Sequence, residues 1–428
     1  MRRAAAGCKH DGTMESQVTG TSEQPVLCPS DVPKAADGRL RVGGRVGRNE
    51  PPTLWIQDAY ATLKATLRIA DDGAASPRPG DLVTVAGRLQ AGELRDAAVL
   101  AVHHRPGSTP PAETDRLHGQ GVAASLRGRA AIVATLRRFF TDRAYLEVET
   151  PALVPSPGLD LHLDAFEVAG APFEPAGYLN TSPEYQMKRL LAGGIPRLFQ
   201  LARCFRRGEQ GQRHNPEFTM VEWYRAFGTM DAMMTETEQL VRHVVERHGQ
   251  AETLARVDRS APFERWTVAT AFERLAGQSP DETLRLARQD EDRFFRLLVE
   301  QVEPGLAALG RPVFLHDYPS PMASLARCKP DQPELCERFE LYVGDLELCN
   351  GFGELTDPVE QRRRFEADQR RRAELGKPVY PLDERLLAAL AEGMPPAAGN
   401  ALGLDRLVAL CLGSADITTV QAFPAGWL

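Results

Sequence analysis

The stretch RHNPEFTMVEWYR, residues 213–225, concentrates side chains that could do chemistry. It brings a histidine, two carboxylates and three aromatic rings together within thirteen residues. A core segment rarely carries so many polar groups, because each buried one needs a partner of its own. The stretch is therefore either a solvated edge or a site.

The segment before it completes a pattern that suits a nucleotide. LFQLARCFRRGEQGQ, residues 198–212, is apolar and then basic, which predicts strand, charged loop and strand over the whole region. An arginine suits an α-phosphate, an aromatic ring suits a purine, and acids suit a cationic substrate. The chain has no Walker-type glycine loop, no GxGxxG after a strand and neither HIGH nor KMSKS. An ATP site in this chain must belong to another class.

A second candidate is FELYVGDLELCNGFGEL, residues 339–355, which predicts a β-hairpin with a two-residue Gly-Asp loop. This register pairs Tyr342 with Glu347 and places Glu340 on the same face as Glu347, roughly 7 Å away as a diagonal neighbour. Two carboxylates so close repel unless a cation lies between them. Mg²⁺ commonly uses one or two carboxylates together with substrate phosphates. A solvated hairpin face is the alternative that the spacing leaves open.

The elements that position these groups form a predicted α+β chain of two domains. Residues 1–37 are rich in Gly, Ser, Thr and Pro without hydrophobic periodicity, which indicates a flexible tail. Residues 38–105 hold five short strand-like runs punctuated by glycine, which favours a small all-β OB-like barrel; a small β-sandwich is the alternative. The Pro-rich residues 106–118 are a predicted linker, and residues 119–428 a large mixed domain.

The second domain is predicted to begin with a helix and a strand. LRGRAAIVATLRRFF, residues 126–140, places four apolar side chains on one helical face, and residues 145–150, just before a proline, have strand character. The four side chains of that face are Ile132, Leu136, Phe139 and Phe140.

Composition limits the class of protein. The 428 residues are 43% hydrophobic and 25% charged, as in soluble globular proteins, and the net charge of −7 argues against nucleic-acid binding by bulk charge. No run of eighteen apolar residues and no signal peptide is present, so neither export nor a membrane span is expected. The seven cysteines are scattered and form no CxxC pair, which favours a reducing cytoplasm over a disulfide framework or a zinc site.

Six motifs carry a resemblance to a known family. FRRGEQGQRHNPEFTMVEWYR resembles motif 2 of class II aminoacyl-tRNA synthetases, YLEVETPAL resembles motif 1, and GNALGLDRLVAL resembles motif 3. With SPEYQMKRLL, FLHDYPSPMASLAR and ELCNGFGELTDPVEQ, the chain is similar to the lysyl-tRNA synthetase group over residues 126–424. Within that group it looks most like the PoxA/GenX type, the elongation factor P β-lysine ligases. The resemblance implies an antiparallel sheet flanked by helices, dimerised through motif 1.

The resemblance also implies how the chain binds ATP. Arg206 would bridge the substrate carboxylate and the α-phosphate, and Phe218 would stack on adenine. His214 would lie near the outer phosphates, and Arg406 against the other adenine face or at the γ-phosphate. The acid that the family places at the adenine amino group has moved one position here, to Glu209. Both arginines would hold charge that redistributes as the carboxylate attacks phosphorus.

The remaining implied contacts concern the metal and the amino acid. Glu340 and Glu347 coincide with the family's Mg²⁺ ligands, and Glu340 also with its ATP contacts. An ammonium on four methylenes needs carboxylates at its tip and aromatic surface along its stem. The resemblance places six residues around such a lysine-like substrate: Glu184, Glu222, Tyr224, Asn350, Phe352 and Glu354.

Two acceptors for the activated lysine stay open: a lysine side chain of elongation factor P, or the 3′ end of a lysine tRNA. Ala401 stands where lysyl-tRNA synthetases usually carry glycine, and the added methyl favours (R)-β-lysine by only about 1 kcal/mol. The OB-like domain favours tRNA, yet residues 40–115 balance nine basic against nine acidic residues. A third interpretation is a catalytically inactive relative that serves in binding, but the intact arginines argue against it.

Overall fold

The computed structural model describes residues 24–68, 76–107, 112–257 and 261–428. The chain divides into two compact units, Met1–Ala123 and Ala124–Leu428. The described strands of the first unit are β1 (Val26–Leu27), β2 (Gly38–Glu50), β3 (Thr53–Gln57), β4 (Thr62–Leu67), β5 (Leu82–Gln90) and β6 (Glu93–His104).

The first unit is a closed barrel. Its strands follow the order β1-β2-β3-β4-β6-β5, and β5 also pairs with β2, which closes β2 to β6 on themselves. Alternate residues point inward, so that Val42, Leu54, Ile56, Val83 and Val85 are fully buried. The predicted OB-like barrel is confirmed, and the closing β2–β5 ladder excludes the sandwich.

The chain before the barrel differs from the predicted flexible tail. Residues 1–23 lie outside the described residues. β1 pairs in parallel with β2, a 3₁₀-helix spans Pro29–Lys34, and Val32 packs into the barrel core. The segment from β1 to this helix is therefore part of the barrel.

The second unit contains most of the helices. The α-helices described in the chain are α1 (Ala112–Thr114), α2 (Val122–Thr141), α3 (Glu184–Ala192), α4 (Met230–His248), α5 (Ala251–Arg256), α6 (Val268–Ala276), α7 (Pro280–Gln289), α8 (Glu291–Leu297), α9 (Glu303–Ala308), α10 (Pro358–Glu374), α11 (Glu384–Gly393) and α12 (Leu404–Leu412). Single-turn 3₁₀-helices span Ser320–Met322, Ile417–Val420 and Ala425–Trp427, and π-helical turns span Asp115–Gly119 and Leu298–Val302.

The remaining strands build two further sheets. They are β7 (Leu146–Glu147), β8 (Leu153–Val154), β9 (Glu167–Val168), β10 (Gly177–Leu179), β11 (Arg197–Phe205), β12 (Glu217–Ala226), β13 (Glu264–Thr267), β14 (Val313–Pro319), β15 (Cys328–Lys329), β16 (Gln332–Val343), β17 (Leu346–Gly353) and β18 (Ala397–Gly403).

Among the described residues, nine of these strands form one sheet in the order β13-β14-β16-β17-β18-β12-β11-β7, with β15 added to β16. The ladders from β14 to β11 are antiparallel, whereas β13 and β7 pair in parallel at the two edges. The predicted antiparallel sheet flanked by helices is confirmed.

Two apolar layers cover the faces of this sheet. On one face, α2, α4 and α12 pack on side chains such as Phe199, Trp223 and Phe339. The predicted face of α2 is confirmed, because Ile132, Leu136, Phe139 and Phe140 are all buried there. The predicted strand over residues 145–150 is shorter than expected, since only Leu146–Glu147 pairs with β11.

The opposite face carries α3, α6, α10 and α11, which pack on Tyr224, Leu315 and Tyr342. This layer leaves part of the sheet uncovered beside α3, where the cavity described below opens. Within the described residues, no helix is both long and apolar enough to cross a membrane.

Candidate active site

A cavity opens on the face of the nine-stranded sheet beside α3. It brings together eleven of the side chains predicted from the sequence. They are Glu184, Arg206, Glu209, His214, Phe218, Glu222, Glu347, Asn350, Phe352, Ala401 and Arg406. The other three, Tyr224, Glu340 and Glu354, do not line the cavity.

Strand alternation explains how RHNPEFTMVEWYR serves two purposes. On β12, Phe218 and Glu222 face the cavity, as does the intervening Met220. Val221 and Trp223, which flank Glu222 along the strand, face the opposite core layer and are fully buried. Because side chains alternate along a strand, one segment supplies both the site and the core.

A row of directly opposed residues crosses four strands, and three of its members, Asn350, Ala401 and Glu222, line the cavity. Glu340 on β16 lies opposite Asn350 on β17, Asn350 opposite Ala401 on β18, and Ala401 opposite Glu222 on β12. Directly opposed residues in antiparallel strands share a face and lie close together. Residues distant in sequence are thereby placed side by side, with the small Ala401 leaving space between two polar groups.

The β16–β17 hairpin contains a bulge that the sequence did not predict. Tyr342 pairs with Glu347 and Val343 with Leu346, as predicted, but Leu341 pairs with Cys349. Leu348 is the extra residue, and it is buried in the core beside Cys349. The bulge keeps Glu347 on the face of Glu340 while Asn350 also reaches that face.

Glu222 is the buried acid at the amino-acid end of the cavity. It is 0% exposed, and its carboxylate accepts hydrogen bonds from Ser182 Oγ (2.5 Å) and Tyr224 Oη (3.0 Å). Burial, reinforced by the nearby Glu184 carboxylate, raises the pKa of Glu222 to about 8. In the part of the chain that the structure describes, Glu222 forms no ion pair. A cation in the cavity would therefore meet an uncompensated carboxyl group.

Lys188 is a residue that the sequence analysis missed. Its Nζ lies 2.6 Å from Glu184 Oε1 and 2.6 Å from Glu354 Oε2, and Lys188 is 1% exposed. Burial disfavours the ammonium, but the two carboxylates outweigh it and raise the pKa of Lys188. Glu354, predicted to contact substrate, therefore contacts a lysine of the protein itself.

The sequence offered only part of the signal for Lys188. In EYQMK, Glu184 and Lys188 are four residues apart, the spacing of an ordinary exposed ion pair on a helix. The second carboxylate comes from Glu354, far along the chain, and only the fold brings it to α3. Ser182, which holds Glu222, lies at the start of the same motif and was also missed.

The nucleotide end of the cavity is built around Arg206. Its guanidinium lies over the Phe218 ring, 5.0 Å from the ring centre, and Nε donates to Thr181 O at 3.4 Å. Glu209 Oε1 is 3.8 Å from Arg206 Nη1. An arginine beside an aromatic face can hold a phosphate while the ring offers a surface for a base.

Arg406 joins motif 3 to the hairpin. Its Nη1 donates to Glu347 O at 2.7 Å and lies 3.4 Å from Glu347 Oε2, while Nη2 lies 2.9 Å from His214 Nε2. Burial and the neighbouring Arg406 lower the pKa of His214. His214 is thus kept neutral, with Nε2 accepting the hydrogen bond from the guanidinium.

The two predicted metal ligands differ in their present partners. Glu340 is held by Arg338 Nη2 (2.6 Å) and Tyr342 Oη (2.7 Å), two contacts not predicted from the sequence. Partial desolvation and the negative charge of Glu340 raise the pKa of Glu347, whose side chain is 41% exposed. Two hard oxygen donors that repel each other fit a divalent cation. Among the described residues no three His, Cys, Asp or Glu side chains cluster as metal ligands, so the two carboxylates would leave coordination positions open for phosphate or water oxygens.

Comparisons with known proteins agree with this arrangement. The family described as tRNA synthetases class II (D, K and N) matches residues 115–426. The protein named Elongation factor P--(R)-beta-lysine ligase of Photorhabdus laumondii is 42% identical over 323 residues, which cover 73% of this chain and 98% of the relative. The proteins of that name from Klebsiella pneumoniae strain 342 and Proteus mirabilis are 44% and 42% identical over 70% of this chain and 94% and 95% of their own lengths. The chain belongs to the class II tRNA synthetase family, among the relatives named elongation factor P--(R)-beta-lysine ligases.

Proposed function

We propose that this protein uses ATP to activate (R)-β-lysine, or lysine, as an aminoacyl-adenylate and then transfers it to a lysine side chain of elongation factor P. The observation that carries the proposal is Glu222, a buried carboxyl group without an ion-pair partner among the described residues, in a cavity whose other end presents Arg206 and Arg406. The names of the relatives supply the acceptor.

The two ends of the cavity would bind the two ends of the amino acid. The ammonium groups would lie against Glu222 and Glu184, and the carboxylate would lie toward Arg206. Asn350 Oδ1 is buried without a hydrogen-bond partner among the described residues and would accept from an amine. A neutral amino acid would leave the buried acids uncompensated, which disfavours it strongly.

Activation would form a bond between a substrate carboxylate oxygen and the α-phosphorus while pyrophosphate leaves. Arg206 would hold the charge on the carboxylate and the α-phosphate, and Phe218 would carry the adenine. Arg406 would contact the outer phosphates or the second adenine face, with His214 beside it. Glu209, next to Arg206, would receive the adenine amino group.

Transfer would consume the adenylate. The neutral ε-amine of the acceptor lysine would attack the acyl carbon, the bond from that carbon to the phosphate oxygen would break, and AMP would leave. The amine loses one proton as the amide forms. Adenylate formation in this way suits a protein or a tRNA acceptor equally, so the acceptor has to be tested directly.

Mg²⁺ is the proposed metal, and Glu340 and Glu347 are its proposed ligands. When bound, the ion would neutralise charge on the ATP phosphates. The raised pKa of Glu347, caused by partial desolvation and by Glu340, supports a site that a divalent cation would stabilise.

We also propose a homodimer formed through the motif 1 region, α2 and β7. β7 lies at the edge of the sheet and its Leu146 is 53% exposed, so this edge is accessible to a second copy of the chain. A cytoplasmic location is proposed because the reaction needs ATP. The six cysteines that the structure describes are all free thiols, as expected in a reducing compartment.

Lysyl-tRNA synthetase is the second candidate, favoured by the OB-like barrel. A competition decides between them. The purified protein is given ATP, Mg²⁺ and (R)-β-lysine or L-lysine, with elongation factor P and lysine tRNA offered together, and protein mass and tRNA charging are measured in parallel. A mass gain on elongation factor P, larger with the β isomer, is expected. Charged tRNA without protein modification would replace the proposal with the second candidate.

A further inference from the structure

The amino-acid end of the cavity contains a cluster of four charged groups, three of which are fully buried. Its carboxylates are Glu184, Glu222 and Glu354, and its ammonium is Lys188. Glu222 and Glu354 are each 0% exposed and Lys188 is 1% exposed, so water compensates little of this charge. The nearby Arg327 forms its ion pair with Glu337, at 2.7 Å, rather than with a carboxylate of the cluster.

The formal charges of this cluster do not cancel, and the remainder is a net negative charge. With all three carboxyl groups ionised, as a bound ammonium favours, three carboxylates and one ammonium sum to two uncompensated negative charges. Lysine and β-lysine each carry two ammonium groups. Without Lys188 the remainder would be three, and without Glu354 it would be one. Buried charge has to be balanced for binding to be favourable, so the remainder selects among ligands by charge.

Resting on the proposed function, we infer that Lys188 is a specificity-determining residue: its ammonium fixes Glu184 in place, neutralises Glu354, and matches the pocket to an amino acid with two ammonium groups. Lys188 does not touch substrate in this arrangement. It acts through Glu184, which lines the cavity, whereas Glu354 lies behind the lining.

A double-mutant cycle tests the inference. Lys188→Met leaves a remainder of three negative charges, and Glu354→Gln leaves one. The double variant restores two with side chains of similar size. In amino-acid-dependent pyrophosphate exchange, each single variant should raise KM for the lysine substrate by at least about tenfold, with KM for ATP changed less than about twofold. The double variant should return to within about threefold of the wild-type value.

A second readout uses 6-aminohexanoate, which has the terminal ammonium but no second amine. Glu354→Gln should bind this compound relatively better, so its discrimination between lysine and 6-aminohexanoate should fall at least about fivefold, and the double variant should restore it. The control is Lys329→Met, which breaks the Lys329–Asp317 ion pair (2.5 Å), outside the cavity lining, and should leave both readouts unchanged.

The outcomes separate the inference from the proposed function. Exchange by the wild-type protein with lysine or β-lysine supports the proposed function whatever the variants do. If the increases in KM of the two single variants simply add in the double variant, the inference is overturned, because a packing role predicts additivity. If Lys188→Met does not fold, the double variant alone decides: near-wild-type KM and discrimination support the inference, and a loss above about tenfold overturns it. A wild-type protein without exchange removes both.

Discussion

At the scale of single residues, the Glu222 carboxyl group should make substrate binding depend on pH. Its pKa is raised to about 8 by burial and by Glu184, so the free protein holds a proton there below that pH. An ammonium favours the ionised form and therefore displaces this proton. We expect KM for the lysine substrate to fall by up to about tenfold per pH unit from pH 6 to 8 and then to level off. Exchange rates measured from pH 6 to 8.5 check this.

The Glu222→Gln variant tests both the pH dependence of KM and the pH dependence of stability. In the Glu222→Gln variant the amino-acid KM should be high and nearly independent of pH, while ATP binding is retained. The folded carboxyl binds a proton between about pH 4.5 and 8 that the unfolded one has lost, so wild-type stability falls as pH rises through this window, by up to about 1.4 kcal/mol per unit. The variant should lack that slope in urea unfolding. If the variant keeps the wild-type dependence of unfolding free energy on pH, the proton is bound by a group other than Glu222.

Arg206 leads to a prediction about the chemical step. Arg206→Ala should lower pyrophosphate exchange by at least about 100-fold, because the guanidinium would hold charge that develops in the transition state. Arg203→Ala is the matched control: Arg203 lies on β11, just before Arg206, is mostly exposed and faces Glu217 at 3.7 Å. Equal activities of the two variants would remove the assignment of Arg206.

Sequence reasoning at this scale identified residue types better than partners. Eleven of the predicted side chains share one cavity, because motif spacing fixes which strands they lie on. The partner of Glu354 was not predictable, since an i,i+4 Glu-Lys pair is usually exposed, and the second carboxylate on Lys188 comes from far along the chain, just after β17. The individual roles of the site residues stay predictions.

At the scale of elements, the contact between β18 and β12 leaves no room for a side chain at Gly399. A Cβ at this position would lie 2.4 Å from Tyr224 Cδ1 and 2.5 Å from Glu354 Oε1. Gly399→Ala should therefore displace Tyr224 from Glu222, destabilise the protein by about 1–3 kcal/mol and raise the amino-acid KM. Denaturant unfolding and exchange kinetics measure the two effects.

A glycine in open space provides the control for that substitution. No atom lies within 4 Å of a Cβ built on Gly426, so Gly426→Ala should change neither stability nor KM. Unchanged amino-acid KM in a folded Gly399→Ala protein would show that Tyr224 is not needed to hold Glu222.

The hairpin of β16 and β17 shows where element prediction succeeds and where it stops. The tight Gly-Asp turn fixes the pairs nearest to it, and the Tyr342–Glu347 pair was predicted correctly. The bulge at Leu348 could not be predicted from local alternation, because it depends on the core beneath β17, which accepts both Leu348 and Cys349.

At the scale of the whole molecule, the catalytic unit accounts for nearly all of the relatives' length. The 70–73% of this chain that aligns covers 94–98% of the three relatives named above. A chain of residues 112–428 should therefore fold and catalyse pyrophosphate exchange within about twofold of the full-length rate. Thermal unfolding and exchange assays on both chains measure this.

The acceptor assay completes that comparison. If the barrel contributes only to acceptor binding, its removal should raise KM for the protein acceptor and leave KM for ATP and the amino acid unchanged. Loss of pyrophosphate exchange from a folded shortened chain would instead assign the barrel a part in activation.

The bulge at Leu348 also has a consequence for recognising related sites by pattern. Glu347 and Asn350 both line the cavity although an odd number of positions separates them, since the bulge buries the extra residue Leu348 in the core together with Cys349. A hairpin lacking Leu348 would present the same two groups with a shorter spacing. Search patterns with a fixed interval between these residues would then reject chains that carry the same site, whereas a pattern allowing one insertion after the glutamate would retain them.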